Sequence, residues 1–265
     1  MSLQLRVPPT NQRVLPESVE HDFEPGLRDR EHTPPPRDVA DAGWGNGWET
    51  DFSESVRRLY AGYRGAVLPT LSALSLHVAL SERWFQQREF DLRGARRILD
   101  VGCGAGQLTQ HLLKHADREA TIMGCDLTWE MLLRARRRVR HDAVQWVVGN
   151  LTHLPFDEAS FDCVTCGFVL EHLPDVRRGL HELARVLTDG GRLLLLTTED
   201  HWTGRWTARA WNCRALNRQE LRRQCQEAGL VWKQDLWFSE VHRWFAVGGI
   251  CVSLERASRC HSGNG

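Results

Sequence analysis

The sequence predicts a doubly wound α/β fold, in which a mostly parallel sheet is covered by helices on both faces. Strand-like and helix-like segments alternate between Arg97 and Thr197, at the lengths expected for β-α-β units. The run Leu193–Leu196 is continuously apolar, which is typical of a parallel strand buried on both faces. The length of 265 residues suits one such domain with an extension.

Each element follows from a local pattern along the chain. The predicted strands are Arg97–Val101, Thr121–Cys125, Val144–Val148, Phe161–Cys166, Arg192–Thr197, Val231–Phe238 and Phe245–Leu254. The predicted helices are Leu68–Phe85, Gln107–His115, Trp129–Val139, Asp175–Leu187 and Arg218–Ala228. Thr128 precedes the third of these helices and is the expected N-cap residue.

The chain divides into four segments by composition. Residues 1–48 hold seven of the ten prolines, and we expect them to form a disordered leader. Residues 49–92 form a helical segment, residues 93–256 form the α/β domain, and residues 257–265 form a flexible tail. No apolar run is long enough to span a membrane, so we expect a cytoplasmic protein without a transmembrane segment.

Charge and cysteine content narrow the function classes. Basic and acidic residues number 34 each, and the pI is about 7.2, which argues against a dedicated nucleic-acid-binding protein. The one arginine cluster, between Arg134 and Arg140, is a solvated helix face or a contact for RNA or phospholipid. The eight cysteines are expected to be reduced, and no metal site is expected. Cys163 and Cys166 form a CxxC, but side chains three apart on a strand point to opposite faces.

A glycine-rich loop joins the first predicted strand to the first helix of the sheet. Asp100 and Val101 lead directly into Gly102-Cys103-Gly104-Ala105-Gly106. Glycines allow a sharp turn and close approach of a ligand, and the helix that follows offers free N–H groups. The spacing is GxGxG, and Gln107 replaces the small residue that a dinucleotide fingerprint requires there. A dehydrogenase is therefore a weaker interpretation.

Polar residues follow the next strands at the same sheet edge. Asp126 ends the second strand, where its carboxylate can accept hydrogen bonds from both hydroxyls of a ribose. Asn150-Leu151 follows the third strand, and Glu171-His172 follows the fourth.

Together these segments resemble the class I S-adenosylmethionine-dependent methyltransferases, in particular the small-molecule branch similar to methyltransferase type 11. The resemblance covers about residues 94–198 and implies a Rossmann-like, seven-stranded sheet with an antiparallel C-terminal strand. It implies S-adenosyl-L-methionine as the cofactor, with its methionine moiety at Gly102, Gly104 and Gly106. Asp100 would approach the cofactor ammonium group through water.

The resemblance also assigns the adenosine half of the cofactor. Asp126 would bind the ribose hydroxyls, and Leu127 would lie against the adenine face. Asn150 stands where the family usually has Asp, and its amide oxygen can still accept from the adenine amino group. Leu151 would offer its backbone N–H to the ring.

Candidates for catalysis and acceptor binding lie after the fourth and fifth strands. His172 is expected near the methyl group, as a base or in a structural role, and Glu171 could instead fix the loop. Asp200 and His201 could contact the acceptor at the sheet edge.

Aromatic residues supply further candidates for the acceptor site. Trp202 and Trp206, with Trp211, form a pocket roof or simple packing. Tyr60 and Tyr63 belong to a lid over the cofactor or to the core.

These observations predict methyl transfer from S-adenosylmethionine to a small-molecule acceptor at O, N or C, with an apolar or lipid-like acceptor as one candidate. A general base is needed only if the acceptor must lose a proton. Two alternatives stay open: a cofactor-binding scaffold without transfer activity, and a methylase of protein or RNA. No nucleic-acid partner is expected, and the oligomeric state is open.

Overall fold

A computed structural model describes residues 77–211, 213–245 and 249–258 of the chain. The predicted leader, Tyr60, Tyr63 and the residues from 259 onward lie outside the described part, as does most of the 49–92 segment. The strands are β1 Arg97–Val101, β2 Thr121–Asp126, β3 Val144–Val148, β4 Phe161–Gly167, β5 Leu187–Thr197, β6 Leu230–Asp235 and β7 Ile250–Arg256. The helices are α1 His77–Gln86, α2 Gln107–His115, α3 Trp129–Val139, α4 Val176–Val186, α5 Trp202–Trp211, α6 Arg218–Glu227 and α7 Glu240–Phe245, with a 3₁₀ turn at Leu170–His172.

The strands form one seven-stranded sheet in the order β3-β2-β1-β4-β5-β7-β6. The pairings among β1 to β5 are parallel, and β7 runs antiparallel to both of its neighbours, β5 and β6. This confirms the predicted fold class. Because β6 therefore runs in the direction of β5, the chain leaves β1, β2, β4, β5 and β6 at the same edge of the sheet.

Alternation along the strands divides the apolar core between the two faces of the sheet. On β5, Leu193 and Leu195 belong to one buried cluster, and Leu194 and Leu196 belong to the other. Cys166 and Cys163 are divided in the same way, so the CxxC cannot act as a pair of metal ligands from one face. The described cysteines are all free thiols.

Most predicted ends are within three residues of the observed ones; for example, β6 was predicted as Val231–Phe238 and spans Leu230–Asp235. Two strands and one helix differ more, each for a local reason. Strand β5 begins at Leu187 instead of Arg192, because Leu187 pairs with Phe161 before an irregularity around Gly190, where φ is +72°. Strand β7 begins at Ile250 instead of Phe245, because the residues before it form the short helix α7. Helix α5 was not predicted, since it packs through small residues instead of an apolar stripe.

Because β5 is buried in the sheet, shortening one of its leucine side chains should lower the free energy of unfolding strongly. Leu195→Ala should lower the free energy of unfolding by about 2–5 kcal/mol, because a buried leucine leaves a cavity. Val231→Ala, at a half-exposed position on β6, should change it by less than about 0.5 kcal/mol. Urea denaturation of both variants measures the difference, and equal effects would contradict this assignment of the core.

Candidate functional site

The candidate site lies where β1, β2 and β4 end side by side. Val101 at the end of β1 pairs with Cys125 of β2 on one side and with Cys166 of β4 on the other. The segments that follow these strands therefore meet at one edge, which is where open α/β sheets bind ligands.

The loop after β1 depends on its glycines. Gly102, Gly104 and Gly106 have φ values of +66°, +52° and +78°, a region that side chains rarely adopt. The N–H groups of Gly102 and Cys103 both donate to the carbonyl oxygen of Cys125, at 2.7 and 3.0 Å. A Cβ atom on Gly102 would lie 2.1 Å from Cγ2 of Val169. The loop is therefore held tightly between β2 and the segment after β4.

Helix α2 begins directly after this loop with open donors. Its N-cap residue is Gly106, which supplies no side-chain cap, and its first turn contains no acidic residue. The first N–H groups of a helix have no partner inside the helix and carry a partial positive charge. The start of α2 can therefore bind a carboxylate or another electron-rich group.

Asp126 connects the end of β2 to the glycine loop. Its Oδ2 accepts the Gly104 N–H at 2.9 Å, and its Oδ1 accepts the Thr128 N–H at 2.9 Å and the Thr128 hydroxyl at 2.8 Å. Thr128 is the N-cap residue of α3, as expected, but its hydroxyl makes no capping bond. The hydroxyl is used to orient Asp126 instead.

The hydrogen-bonding capacity of Asp126 limits how it can bind a ligand. A carboxylate offers about four acceptor positions, and three of them are occupied by Thr128 and Gly104. The Leu127 N–H also interacts with this carboxylate, so a ligand hydroxyl could be bound only if one of these bonds yields or is shared. Burial raises the pKa of Asp126, while the bonds from Thr128 and Gly104 oppose the rise.

Asp100 lies beneath the loop and is buried. Its two oxygens accept the hydroxyls of Thr109 on α2, at 2.6 Å, and of Thr165 on β4, at 2.8 Å. Burial raises the pKa of Asp100 to about 6, against the stabilising effect of the two hydroxyls, and the nearby Asp126 charge raises it further. Asp100 thus connects α2 to β4 through its two hydrogen bonds. Its contact with a ligand ammonium group through water stays a prediction.

The segment after β3 closes the site beside Asp126. The Gly149 N–H donates to the backbone carbonyl of Asp126 at 2.9 Å. Asn150 is buried, and its side-chain oxygen accepts the Thr152 N–H at 3.0 Å. Leu151 belongs to the core, and Leu127 is half-buried. The amide oxygen of Asn150 thus already supports its own turn, and a ligand would share it.

Glu171 fastens the segment after β4 to the end of β5. Its carboxylate accepts the hydroxyls of Thr197, at 2.7 Å, and Thr198, at 2.9 Å. Burial raises the pKa of Glu171. Burial also lowers the pKa of the neighbouring His172 to about 4, so this imidazole is neutral at physiological pH. The structure therefore places Glu171 in the loop-fixing role and leaves His172 as an uncharged candidate.

The candidates after β5 lie on or near α5. The Asp200 carboxylate is paired with Arg205, with Nε 2.6 Å from Oδ1, and this bond lowers the pKa of Asp200. His201 has a buried Nδ1 with no hydrogen-bond partner in the described part of the chain. Trp202 and Trp206 are 68% and 73% exposed. The two tryptophans face outward on α5, and their contact with an acceptor stays a prediction.

Comparison with known proteins agrees with this geometry. Residues 99–195 match a family model described as "Methyltransferase domain". A ubiquinone/menaquinone biosynthesis C-methyltransferase (UbiE) of Geobacter sp. (strain M21) is 32% identical over 153 residues, which are 55% of this chain and 65% of the relative. A demethylmenaquinone methyltransferase of Deinococcus radiodurans is 34% identical over 152 residues, 57% of this chain and 63% of the relative.

Residues 99–195 of the chain are thus similar in sequence to methyltransferase domains. A solved S-adenosylmethionine-dependent methyltransferase of Mesorhizobium loti has the same fold, with a TM-score of 0.54 and 19% identity over 66% of this chain and 98% of that one. The chain spans less than two thirds of the length of the two curated relatives. No helix in the described part of the chain is long and apolar enough to cross a membrane.

Several residues that shape the candidate site were not found from the sequence. Thr109 and Thr165 hold Asp100, and Val169 packs against the glycine loop. Phe168 is 37% exposed and has a φ of +59°, a strained value of the kind that occurs at functional sites. Threonine, valine and phenylalanine are ordinary core residues. Only Phe168 and Val169 stand directly after a strand, which is the one local signal that could have drawn attention to them.

The raised pKa of Asp100 predicts how stability depends on pH. Because its folded-state pKa of about 6 exceeds the ordinary 3.8, its contribution to stability is fully present below about pH 4 and is lost as pH rises through 6. Asp100→Asn removes this ionisation. The free energy of unfolding of the variant, relative to wild type, should rise by about 3 kcal/mol between pH 4 and pH 7.

Urea denaturation across this pH range provides the measurement. The exposed Gln145 carries no ionisable group, so Gln145→Ala should differ from wild type by a constant amount. A flat difference for Asp100→Asn would show that its carboxyl is not buried in this way.

Because Gly102 lies against Val169, a side chain at position 102 should destabilise the protein both by a steric clash and by its positive φ. Gly102→Ala must accept both a positive φ and the clash with Val169, whereas Gly94→Ala faces only a φ of +75° with nothing within 4 Å. Thermal denaturation should show Gly102→Ala as the more destabilised variant, with partial recovery in Gly102→Ala/Val169→Ala. Equal losses in the two glycine variants would refute this packing.

Proposed function

We propose that this domain binds S-adenosyl-L-methionine at the carboxyl edge of its sheet and transfers the methyl group to a small, apolar acceptor. The observation that carries the proposal is the hydrogen bond between the Gly104 N–H and the Asp126 carboxylate. This bond brings an acceptor for sugar hydroxyls next to a loop of bare backbone, which are the two kinds of group that a nucleoside linked to an amino acid requires.

The residues present fit such a ligand. A Cβ on Gly104 would make ordinary van der Waals contacts, the nearest atom being Cε of Met131 at 3.5 Å, so no neighbouring atom crowds the loop at this position. Asp126 would accept a ribose hydroxyl by sharing or exchanging one of its present bonds. The start of α2 would take the carboxylate of the amino-acid part. Leu127 would cover the adenine ring, with the Asn150 side chain and the Leu151 N–H at its edge.

The chemical task of the chain is to orient the reactants and exclude water. When bound, S-adenosylmethionine supplies a methyl group on a positively charged sulfur. Orienting an acceptor against it can contribute about 7–11 kcal/mol to the barrier reduction. Asp100 and Glu171, both buried and bonded to threonine hydroxyls, keep the loops after β1 and β4 fixed for this purpose.

The low basicity of His172 limits which acceptors could lose a proton at this site. His172 is a weak base, because burial lowers its pKa to about 4, although it is unprotonated and able to accept a proton at neutral pH. An acceptor that already carries electron density, such as an enolate or a phenolate-type ring, suits this site better than one with a firmly held proton. Asp200 and His201 are further candidates for contact with the acceptor.

The relatives support an apolar acceptor. Their names refer to ubiquinone and menaquinone biosynthesis and to demethylmenaquinone, and the first is named a C-methyltransferase. The exposed ring of Phe168 at the same sheet edge is consistent with binding an apolar molecule. We therefore favour carbon as the acceptor atom and a ring-bearing apolar compound as the acceptor.

The cytoplasmic location expected from the sequence is part of this proposal. Its support is that the seven described cysteines are free thiols, and a reducing compartment keeps thiols in this form.

Removing the Asp126 carboxylate should weaken cofactor binding. A hydrogen bond to a charged group contributes about 1.5–3 kcal/mol, so Asp126→Ala should weaken binding of S-adenosylhomocysteine by roughly 10- to 150-fold. Isothermal titration calorimetry measures this change. Asp142→Ala, which removes an exposed aspartate outside the site, should bind as wild type does, and unchanged affinity in Asp126→Ala would remove Asp126 from the site.

Transfer itself is tested with labelled cofactor. The full chain should move label from S-adenosylmethionine into the apolar small-molecule fraction of a fractionated extract, and Asp126→Ala should lose most of that label. Label in protein or RNA would instead identify a methylase of macromolecules. Binding of S-adenosylhomocysteine without any labelled fraction would indicate a scaffold.

A further inference from the structure

The exposed large apolar side chains of the described residues are concentrated at one edge of the sheet. They are Phe168, Trp202, Trp206, Val231, Val241, Trp244 and Phe245. Six of these seven follow the carboxyl ends of β4, β5 or β6, and only Val231 lies near the opposite edge, at the start of β6. We call Trp202, Trp206, Val241, Trp244 and Phe245, which lie on α5 and α7, the aromatic rim. An exposed apolar surface of this kind marks an interaction site.

Helix α5 presents tryptophan and arginine together on its outer side. Helical spacing places Trp202, Arg205, Trp206 and Arg209 on one face, and all four are exposed. The opposite side packs on the domain through small residues, since Ala208 is buried there.

Gly204 explains how closely α5 approaches the sheet. A Cβ on Gly204 would lie 1.8 Å from the Glu199 carbonyl oxygen, so the helix rests against the chain that leaves β5. The tryptophans of α5 are thus held outward by a close backbone contact on the other side.

Helix α7 is shorter than α5 and also exposes its apolar residues. Val241, Trp244 and Phe245 share its exposed side, and Trp244 is 82% exposed. The other side is anchored by His242, whose ring lies 5.8 Å from that of Phe238 and contacts the Ser239 hydroxyl at 2.7 Å. The apolar residues of α7 therefore point away from the domain.

Arg218 ties the bases of the two helices to each other. Its guanidinium binds Glu199 after β5, with Nε 2.7 Å from Oε1, and pairs with Asp235 at the end of β6. It also lies 5.4 Å from the ring centre of Trp237. Because one strand separates β5 from β6, these strand ends are about 10 Å apart. Arg218 thus links the segments that precede α5 and α7.

The charge around α5 indicates the partner. From His201 to Asn217 the chain contains three arginines and no acidic residue. Arg205 pairs with Asp200, and the Arg214 guanidinium donates to the Leu173 carbonyl oxygen. Arg209 is exposed one turn from Arg205, and among the described residues it is the cation of α5 that is available to a phosphate group. Tryptophan at the boundary between apolar and polar layers, with arginine beside it for phosphate groups, is the composition of surfaces that lie on anionic bilayers. We propose that the aromatic rim docks this domain on an anionic lipid membrane.

Docking in this orientation turns the carboxyl edge of the sheet toward the bilayer. If the proposed function holds, an apolar acceptor could pass directly from the lipid phase to the site without crossing water. The docking itself does not depend on methyl transfer, so a failure of the proposed function leaves it testable.

Co-sedimentation of the full chain with vesicles tests the proposal. Vesicles of equal parts phosphatidylcholine and phosphatidylglycerol should bind the protein more tightly than vesicles of phosphatidylcholine alone. Trp202→Ala/Trp206→Ala and Trp244→Ala/Phe245→Ala should each lower the partition coefficient by about tenfold or more. Arg209→Gln should lower it by about fivefold on the anionic vesicles only.

Matched variants at other surfaces provide the controls. Val231→Ser at the opposite edge and Arg138→Gln on α3, both at exposed positions, should bind as wild type does, whereas Val241→Ser should weaken binding. Circular dichroism confirms that each variant is folded.

Three outcomes would overturn the proposal. They are the absence of binding to either vesicle, a loss of binding in Arg138→Gln but not in Arg209→Gln, and a dimer in solution that Trp244→Ala/Phe245→Ala dissociates without any vesicle binding by wild type. Calorimetry with S-adenosylhomocysteine, run in parallel, reports separately on the proposed function.

Discussion

The hydrogen bond from the Gly104 N–H to Asp126 joins two segments that leave neighbouring strands, and the shape of the candidate site depends on it. Thr128 orients the Asp126 carboxylate from one side, and the glycine loop meets it from the other. The Gly149 N–H binds the backbone carbonyl of the same aspartate. A single residue therefore fixes the relative positions of the loops after β1, β2 and β3.

Two buried carboxylates, Asp100 and Glu171, hold the loops at the same edge of the sheet. Burying them costs electrostatic free energy. Asp100 and Glu171 are each satisfied by threonine hydroxyls instead of by a cationic partner, and burial raises the pKa of both. A protein optimised only for stability would favour apolar residues at such positions. Their presence beneath the loops agrees with a site in which rigidity is obtained at the expense of stability.

The sequence was sufficient to predict the sheet and the residues at its edge, because apolar periodicity and glycine spacing are local signals. It predicted the helices Gln107–His115 and Trp129–Val139 with their observed ends. It could not show that Thr128 orients Asp126 instead of capping α3, because a threonine at this position can form either local bond. It also could not show that Phe168 adopts a positive φ, because its N–H donates to Leu196 on a different strand. Helix α5 was missed because Gly204 and Ala208 carry no periodic apolar signal.

The most direct test of the central claim is a crystal structure of the full chain with S-adenosylhomocysteine. A ribose hydroxyl should lie within about 3.2 Å of an Asp126 carboxylate oxygen, with the amino-acid part of the ligand over Gly102, Gly104 and Gly106. A ligand bound elsewhere, with Asp126 still bonded only to Gly104 and Thr128, would contradict the proposed site.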